Sequence, residues 1–312
     1  MKYYLYPLLC AGLAWGQSAT TEYATDINGH RVERAQFAAS DGEHAELTQS
    51  INGRKVPLER TETKVLTDQP NYRVTETIVR RYDATGQLAS TERTVSDEKK
   101  SGGSSTIQAT VYRSDANGRL QESERRTIEA QTQGTTTTAD VTIARTGLSG
   151  SWETAEKRKV VTVIDGETTR ETETVARPAQ GNLTFAEISR QVKEAKKSGA
   201  ATISNTAHYE LDYRGNMSVI RQETATTTKQ GDGTEVTELN LYAPSAYGIA
   251  REGEGGQKLR EQQLIVRKES AGVVTETTAV RRPTMADPNR LGEPSVISNL
   301  ACSGKCQGPL KP

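Results

Sequence analysis

The strongest constraint on this chain is a spacing. Gly53, Gly86, Gly118, Gly150, Gly181, Gly215 and Gly248 lie 33, 32, 32, 31, 34 and 33 residues apart. Self-similarity at a fixed period is the signature of a repeat architecture, in which one supersecondary unit recurs along the chain. A second set of Gly-bearing breaks falls midway between these: Gly102-Gly103, Gly134, Gly166, Gly199 and Gly231-Asp232-Gly233. Asp115-Ala116-Asn117-Gly118, with Asn-Gly at its end, is a strong short hairpin signal. The first class of turn is followed two residues on by an apolar side chain, as in Asp83-Ala84-Thr85-Gly86-Gln87-Leu88 and Asp115-Ala116-Asn117-Gly118-Arg119-Leu120. The second class is looser and more polar. Two alternating turn classes predict an up-and-down meander with one class at each edge of the sheet.

The segments between turns alternate with period 2, which marks half-buried strands. Tyr72, Val74, Ile78 and Tyr82 share one parity, and Arg73, Thr75, Thr77 and Arg81 the other. The fold class expected is therefore all-β, a long antiparallel meander of ~33-residue two-strand repeats forming a twisted or curled sheet of roughly sixteen strands. Residues 184–197 have helical composition, with Phe185, Ile188, Val192 and Ala195 at helical spacing. Their place in the repeat predicts a strand. Composition agrees with strands that have a wet face. Thr occurs 41 times, and Leu, Ile, Val and Phe together make up only 54 of 312 residues. Lys+Arg and Asp+Glu are 40 each, a mixed charge that supplies no electrostatic argument for nucleic acid or an anionic membrane as partner.

The N-terminus reads separately. Lys2, an apolar run from Leu5 to Ala14, and the small residues of Ala14-Trp15-Gly16 form a secretory signal peptide, with cleavage before Gln17. The expected domains are the signal at 1–16, N-terminal strands at 17–52, the hairpin repeats at 53–282, and a Pro-rich tail at 283–312. Cleavage removes Cys10 and leaves Cys302 and Cys306, which in an oxidising compartment are expected to form one disulfide. Two cysteines without clustered histidines are too few ligands for zinc. His30, His44 and His208 are dispersed and read as surface residues.

Tyr82, Tyr112, Tyr209, Tyr213, Tyr242 and Tyr247 fall near strand ends, mostly at one turn class, where they cap and pack the sheet.

Tyr82-Asp83-Ala84-Thr85-Gly86-Gln87-Leu88, with partial echoes at Asp115–Leu120 and at 212–217, resembles the YD repeat of bacterial rearrangement-hotspot and teneurin-like surface proteins. The resemblance implies β-strand shells and supplies no catalytic residues. The Thr/Lys/Glu-rich meander is also similar in style to spirochaete outer-surface proteins with a freestanding single-layer sheet.

No catalytic, cofactor or metal site is legible. The expectation is an exported, non-enzymatic repeat protein with a structural, adhesive or partner-binding role, secreted, periplasmic or at the cell surface. Its partner would be a protein or glycan, without nucleic acid and without a membrane span once the signal is removed. The alternatives are an outer-membrane β-barrel, for which the strand count and alternating turns are suitable, and a secreted carbohydrate-binding module or enzyme.

Overall fold

The computed structural model describes residues 20–26, 31–39, 42–51, 53–147, 149–179, 184–212, 214–244, 257–284 and 290–303. The signal peptide, Gly181, Gly248, Tyr213, Tyr247, His30 and Cys306 lie outside them.

The described residues form eighteen strands in chain order. They are β1 (Thr20–Asp26), β2 (Arg31–Ala39), β3 (Gly42–Ile51), β4 (Arg54–Gln69), β5 (Tyr72–Tyr82) and β6 (Leu88–Ser101). Next come β7 (Ser104–Ser114), β8 (Leu120–Gln133), β9 (Thr136–Thr146), β10 (Trp152–Asp165), β11 (Thr168–Pro178) and β12 (Phe185–Ser198). The last are β13 (Ala201–Leu211), β14 (Met217–Lys229), β15 (Glu235–Ala243), β16 (Lys258–Ser270), β17 (Val273–Arg281) and β18 (Ser295–Ser303). The segment with helical composition is strand β12, because its backbone ladders with both neighbours outweigh single-residue helix propensity. Ser295–Ser303, placed by sequence in an irregular tail, is also a strand.

Each strand pairs antiparallel with the next. β1 pairs with β2, Thr21 opposite Ala35, and also with β18, Thr21 opposite Ser303. The meander therefore closes into a barrel, which settles a point that the repeat pattern left open. Eighteen strands ~4.8 Å apart and tilted ~40° enclose a ring roughly 36 Å across if circular.

The turns explain how the ring closes. At one end most connections are two-residue hairpins, several carrying a positive-φ Gly such as Gly102, Gly134, Gly166 and Gly199, while β14 and β15 are joined by five residues. At the other end a tight turn closes with Gly in the left-handed region. In the Asp115 turn the Gly118 amide donates to Asp115 O at 3.0 Å and the Asp115 amide to Arg119 O at 2.9 Å. The Asp115 side chain accepts from the amides of Asn117 and Arg119, and Asp83 does the same for Thr85 and Gln87. The Thr85 hydroxyl, and then the Gln87 amide, hold the Asp83 carboxyl below its ordinary pKa.

A bulge follows at this same end in hairpin after hairpin. The register shifts at Arg81/Tyr82, Val111/Tyr112, Thr154/Glu156, Val175/Ala176, His208/Tyr209 and Leu241/Tyr242. A bulge adds local twist and bends its strand, so one bulge per repeat curls the sheet until β18 meets β1.

Gly118 has φ +77° and nothing within 4 Å of a built Cβ. Gly118→Val should therefore cost about 1–2 kcal/mol through backbone strain alone, read as a lowered midpoint in urea unfolding.

Candidate functional site: the lumen

Registers assign every strand residue to one of two faces, and burial identifies the inner one. Val111, Glu124, Val141, Ile143, Glu156, Val274, Glu276, Val280, Leu300 and Cys302 are buried. The cross-strand pairs Val111–Glu124, Val274–Cys302 and Glu276–Leu300 are among those that place them on a common face. Side chains converge on the concave side of a closed sheet, so this face lines the lumen. A closed ring of eighteen strands is wide enough to hold water inside it.

The lumen face carries a repeated ion pair near the end with the longer connections. Glu59 meets Arg81, Glu92 meets Arg113, Glu124 meets Arg145, and Glu156 meets Arg177, at 3.1, 2.9, 2.9 and 2.9 Å. The glutamates are 33, 32 and 32 residues apart, and the arginines 32 apart throughout. Each pair joins an even strand to the next odd strand, with Glu59, Glu124 and Glu156 directly after the bulged residue of theirs. Glu124 also accepts from Arg126, and Glu156 from Arg158. Beyond β11 the pattern lapses. Ser189 and Glu210 face each other, and Glu223 takes Arg221 at 2.7 Å and His208 at 3.6 Å. Glu261–Arg282 restores it on β16.

The outer face carries its own repeat at the same level. Arg60 lies over the Tyr82 ring, Arg93 over Tyr112, Arg125 over Trp152 and Lys157 over Phe185. Arg125 and Lys157 each reach across an intervening strand, past Ala144 and Ala176, which stand where Tyr112 stands opposite Arg93. Tyr209 and Tyr242 continue the row of aromatic residues. The outer wall of β4–β12 is charged along its length, with Asp140 opposite Lys159 at mid-strand and Arg170 opposite Glu194 nearer the two-residue turns. On β13–β17 the wall is nearly neutral: Gln222 and Gln262 occupy the position of Arg93, Arg125, Lys157 and Arg190, among Ile203, Thr224, Asn240 and Leu264.

Of the residues singled out from sequence, Gly53, Gly86, Gly118, Gly150 and Gly215 sit in left-handed turns. They shape the barrel rather than line a site. Cys302 is buried on the lumen face with Val274 and Leu300. Its expected partner Cys306 lies outside the described residues. Among the described residues no three His, Cys, Asp or Glu side chains gather as metal ligands. No helix among them is long and apolar enough to cross a membrane. Sequence reading missed the Glu–Arg row, although its 32-residue recurrence was present in the same repeat that marked the turns.

No protein-family model matches the chain, and no curated protein matches it. Solved structures do. Two mutants of the Rh. blastica porin align over 93% of this chain and 99% of theirs, each at TM-score 0.54, with 8% and 7% identity. The fold is porin-like. OmpT, an outer membrane protein of Vibrio cholerae, aligns over 92% of this chain and 96% of its own at TM-score 0.45 and 9% identity. The first two likenesses, with the ring closure, overturn the resemblance to YD-repeat shells. That resemblance rested on a turn sequence, and Tyr-Asp-x-x-Gly is a good hairpin turn in any architecture.

Proposed function

We propose that this chain is an exported, non-enzymatic β-barrel of the cell envelope that works as a porin-like pore in the outer membrane. The observation that carries the reading is the polarity of the ring. An even number of strands closes with the start of β1 and the end of β18 at the two-residue-turn end, and the longer connections, 244–257 and 282–294, lie at the other. Outer-membrane barrels have this arrangement, with an aromatic girdle at the membrane interfaces. Here the row from Tyr82 to Tyr242 supplies rings at the long-connection end. The porin likeness in fold and the wet lumen support the same reading.

The charged wall favours a second reading, a barrel that stands in water in the periplasm or at the surface. Each Arg or Lys facing lipid at the bilayer midplane costs about 2–4 kcal/mol, and Arg93 and Lys159 lie well inside β6 and β10 on the outer face.

Flotation of the purified chain with liposomes, paired with planar-bilayer recording, separates the two. A pore co-floats with lipid and produces discrete conductance steps. A chain that stays in detergent-free buffer with a β-type circular-dichroism spectrum and no conductance overturns the pore and leaves the second reading.

A further inference from the structure

The Glu–Arg row has an inside and an outside. In each pair the arginine is the member that reaches water. The Glu124 side chain is 2% exposed beneath Arg145 at 45%, and Glu156 is 4% exposed beneath Arg177 at 58%. Arg81 and Arg113 are likewise more exposed than Glu59 and Glu92. The row is thus a layer of dipoles with the positive ends toward the lumen. A solute on the axis side meets guanidinium first, although each pair is neutral as a whole. Arg126 and Arg158 add two more guanidiniums one step deeper, against two further acids: Glu173, and Glu153, which stands opposite Arg145. The four outer members sit on β5, β7, β9 and β11. Alternate strands are ~9.6 Å apart, so the row is roughly 29 Å long.

We propose that the lumen binds extended oxyanion chains, a succession of phosphate-like groups on one flexible backbone, along the row Arg81, Arg113, Arg145 and Arg177. The guanidinium fork suits oxyanions through paired, charge-assisted hydrogen bonds. The pairs at Arg81 and Arg145 are made through Nε, on the stem side of the group, and Arg177 holds Glu156 through Nε and Nη2. Four evenly spaced cations favour a linear ligand over a single ion, because each later contact forms at high effective concentration. A single orthophosphate can engage one guanidinium and gains none of this. The glutamates beneath hold the arginines extended, so little side-chain freedom is lost when the ligand arrives. The inference depends on the closed barrel and its lumen face, and it holds whichever solvent surrounds the wall.

The test is binding of fluorescently labelled long-chain inorganic polyphosphate to the full-length chain, by anisotropy at low ionic strength. Binding is expected, weakening as salt rises because screening shortens the reach of the row. Orthophosphate should compete poorly. The variant E59Q/R81Q/E92Q/R113Q removes two basic and two acidic groups, so net charge is unchanged, and should bind about tenfold more weakly. The outer-wall variant E187Q/R190Q, also charge-neutral, should bind as the parent does. No binding by the parent, or equal losses from the inner and outer variants, overturns the proposal. If the quadruple variant lacks its β spectrum, Arg81→Gln alone is used, since Glu59 remains within reach of water. Its failure to weaken binding counts equally against the row. Conductance without polyphosphate binding refutes the row and spares the pore; binding without conductance refutes the pore and spares the row.

Discussion

Replacing Arg126 and Arg145 together with Ala is expected to destabilise the barrel by about 3 kcal/mol, at the low end of what breaking a buried ion pair costs. Glu124 is 1% exposed and accepts from both arginines, at 2.5 and 2.9 Å. Without them its carboxylate stays buried between Val111 and its neighbours on β8 and β9, since the adjacent Arg125 is held on the outer face by Glu122 and Trp152. Glu124→Gln is expected to cost less, about 1 kcal/mol, because the amide keeps a hydrogen bond and no charge is stranded. Removing both sides of the pair, with Glu124→Gln added to the double Ala variant, should recover much of the loss. Equilibrium urea unfolding followed by far-ultraviolet circular dichroism reads all three. Equal costs for the double Ala variant and Glu124→Gln would show that the carboxylate is solvated after all.

A chain ending at residue 294 is expected to lose the barrel altogether. β18 pairs with β17 over eight residue pairs and with β1 over six. It also contributes Leu300 and Cys302 to the buried cluster with Val274. Without it, β1 and β17 become two long open edges whose unpaired amides and carbonyls invite association with other chains. Aggregation on refolding, seen in size-exclusion chromatography and light scattering, is the expected result. A monomeric truncated chain that keeps the parental unfolding midpoint would mean that closure contributes nothing to stability.

These two expectations draw on very different amounts of sequence information. The hairpins were legible, because Asn117-Gly118 or Asp83-Ala84-Thr85-Gly86 reverses the chain through local backbone chemistry. β12 was legible only through its position in the repeat, since Phe185, Ile188, Val192 and Ala195 alone describe a helix. β18 was obscured by its surroundings: Pro294 before it and a cysteine pair that begins inside it resemble a tail, and its partner β1 is nearly 280 residues away. The lumen row was obscured for a related reason. Glu124 and Arg145 are ordinary charged residues in a chain full of them, and only register places them opposite each other.

The sequence by itself determined the repeat, the antiparallel order and the two turn classes, because each depends on contacts within one hairpin. Whether the meander stayed open or closed, and which of its two polar faces became the inside, was decided by the tertiary structure. Closure depends on curvature summed over many bulged hairpins, each adding a small bend that no single repeat reveals. The lumen exists only once that sum brings β18 back to β1, and with it the difference between a buried glutamate and an arginine exposed to water.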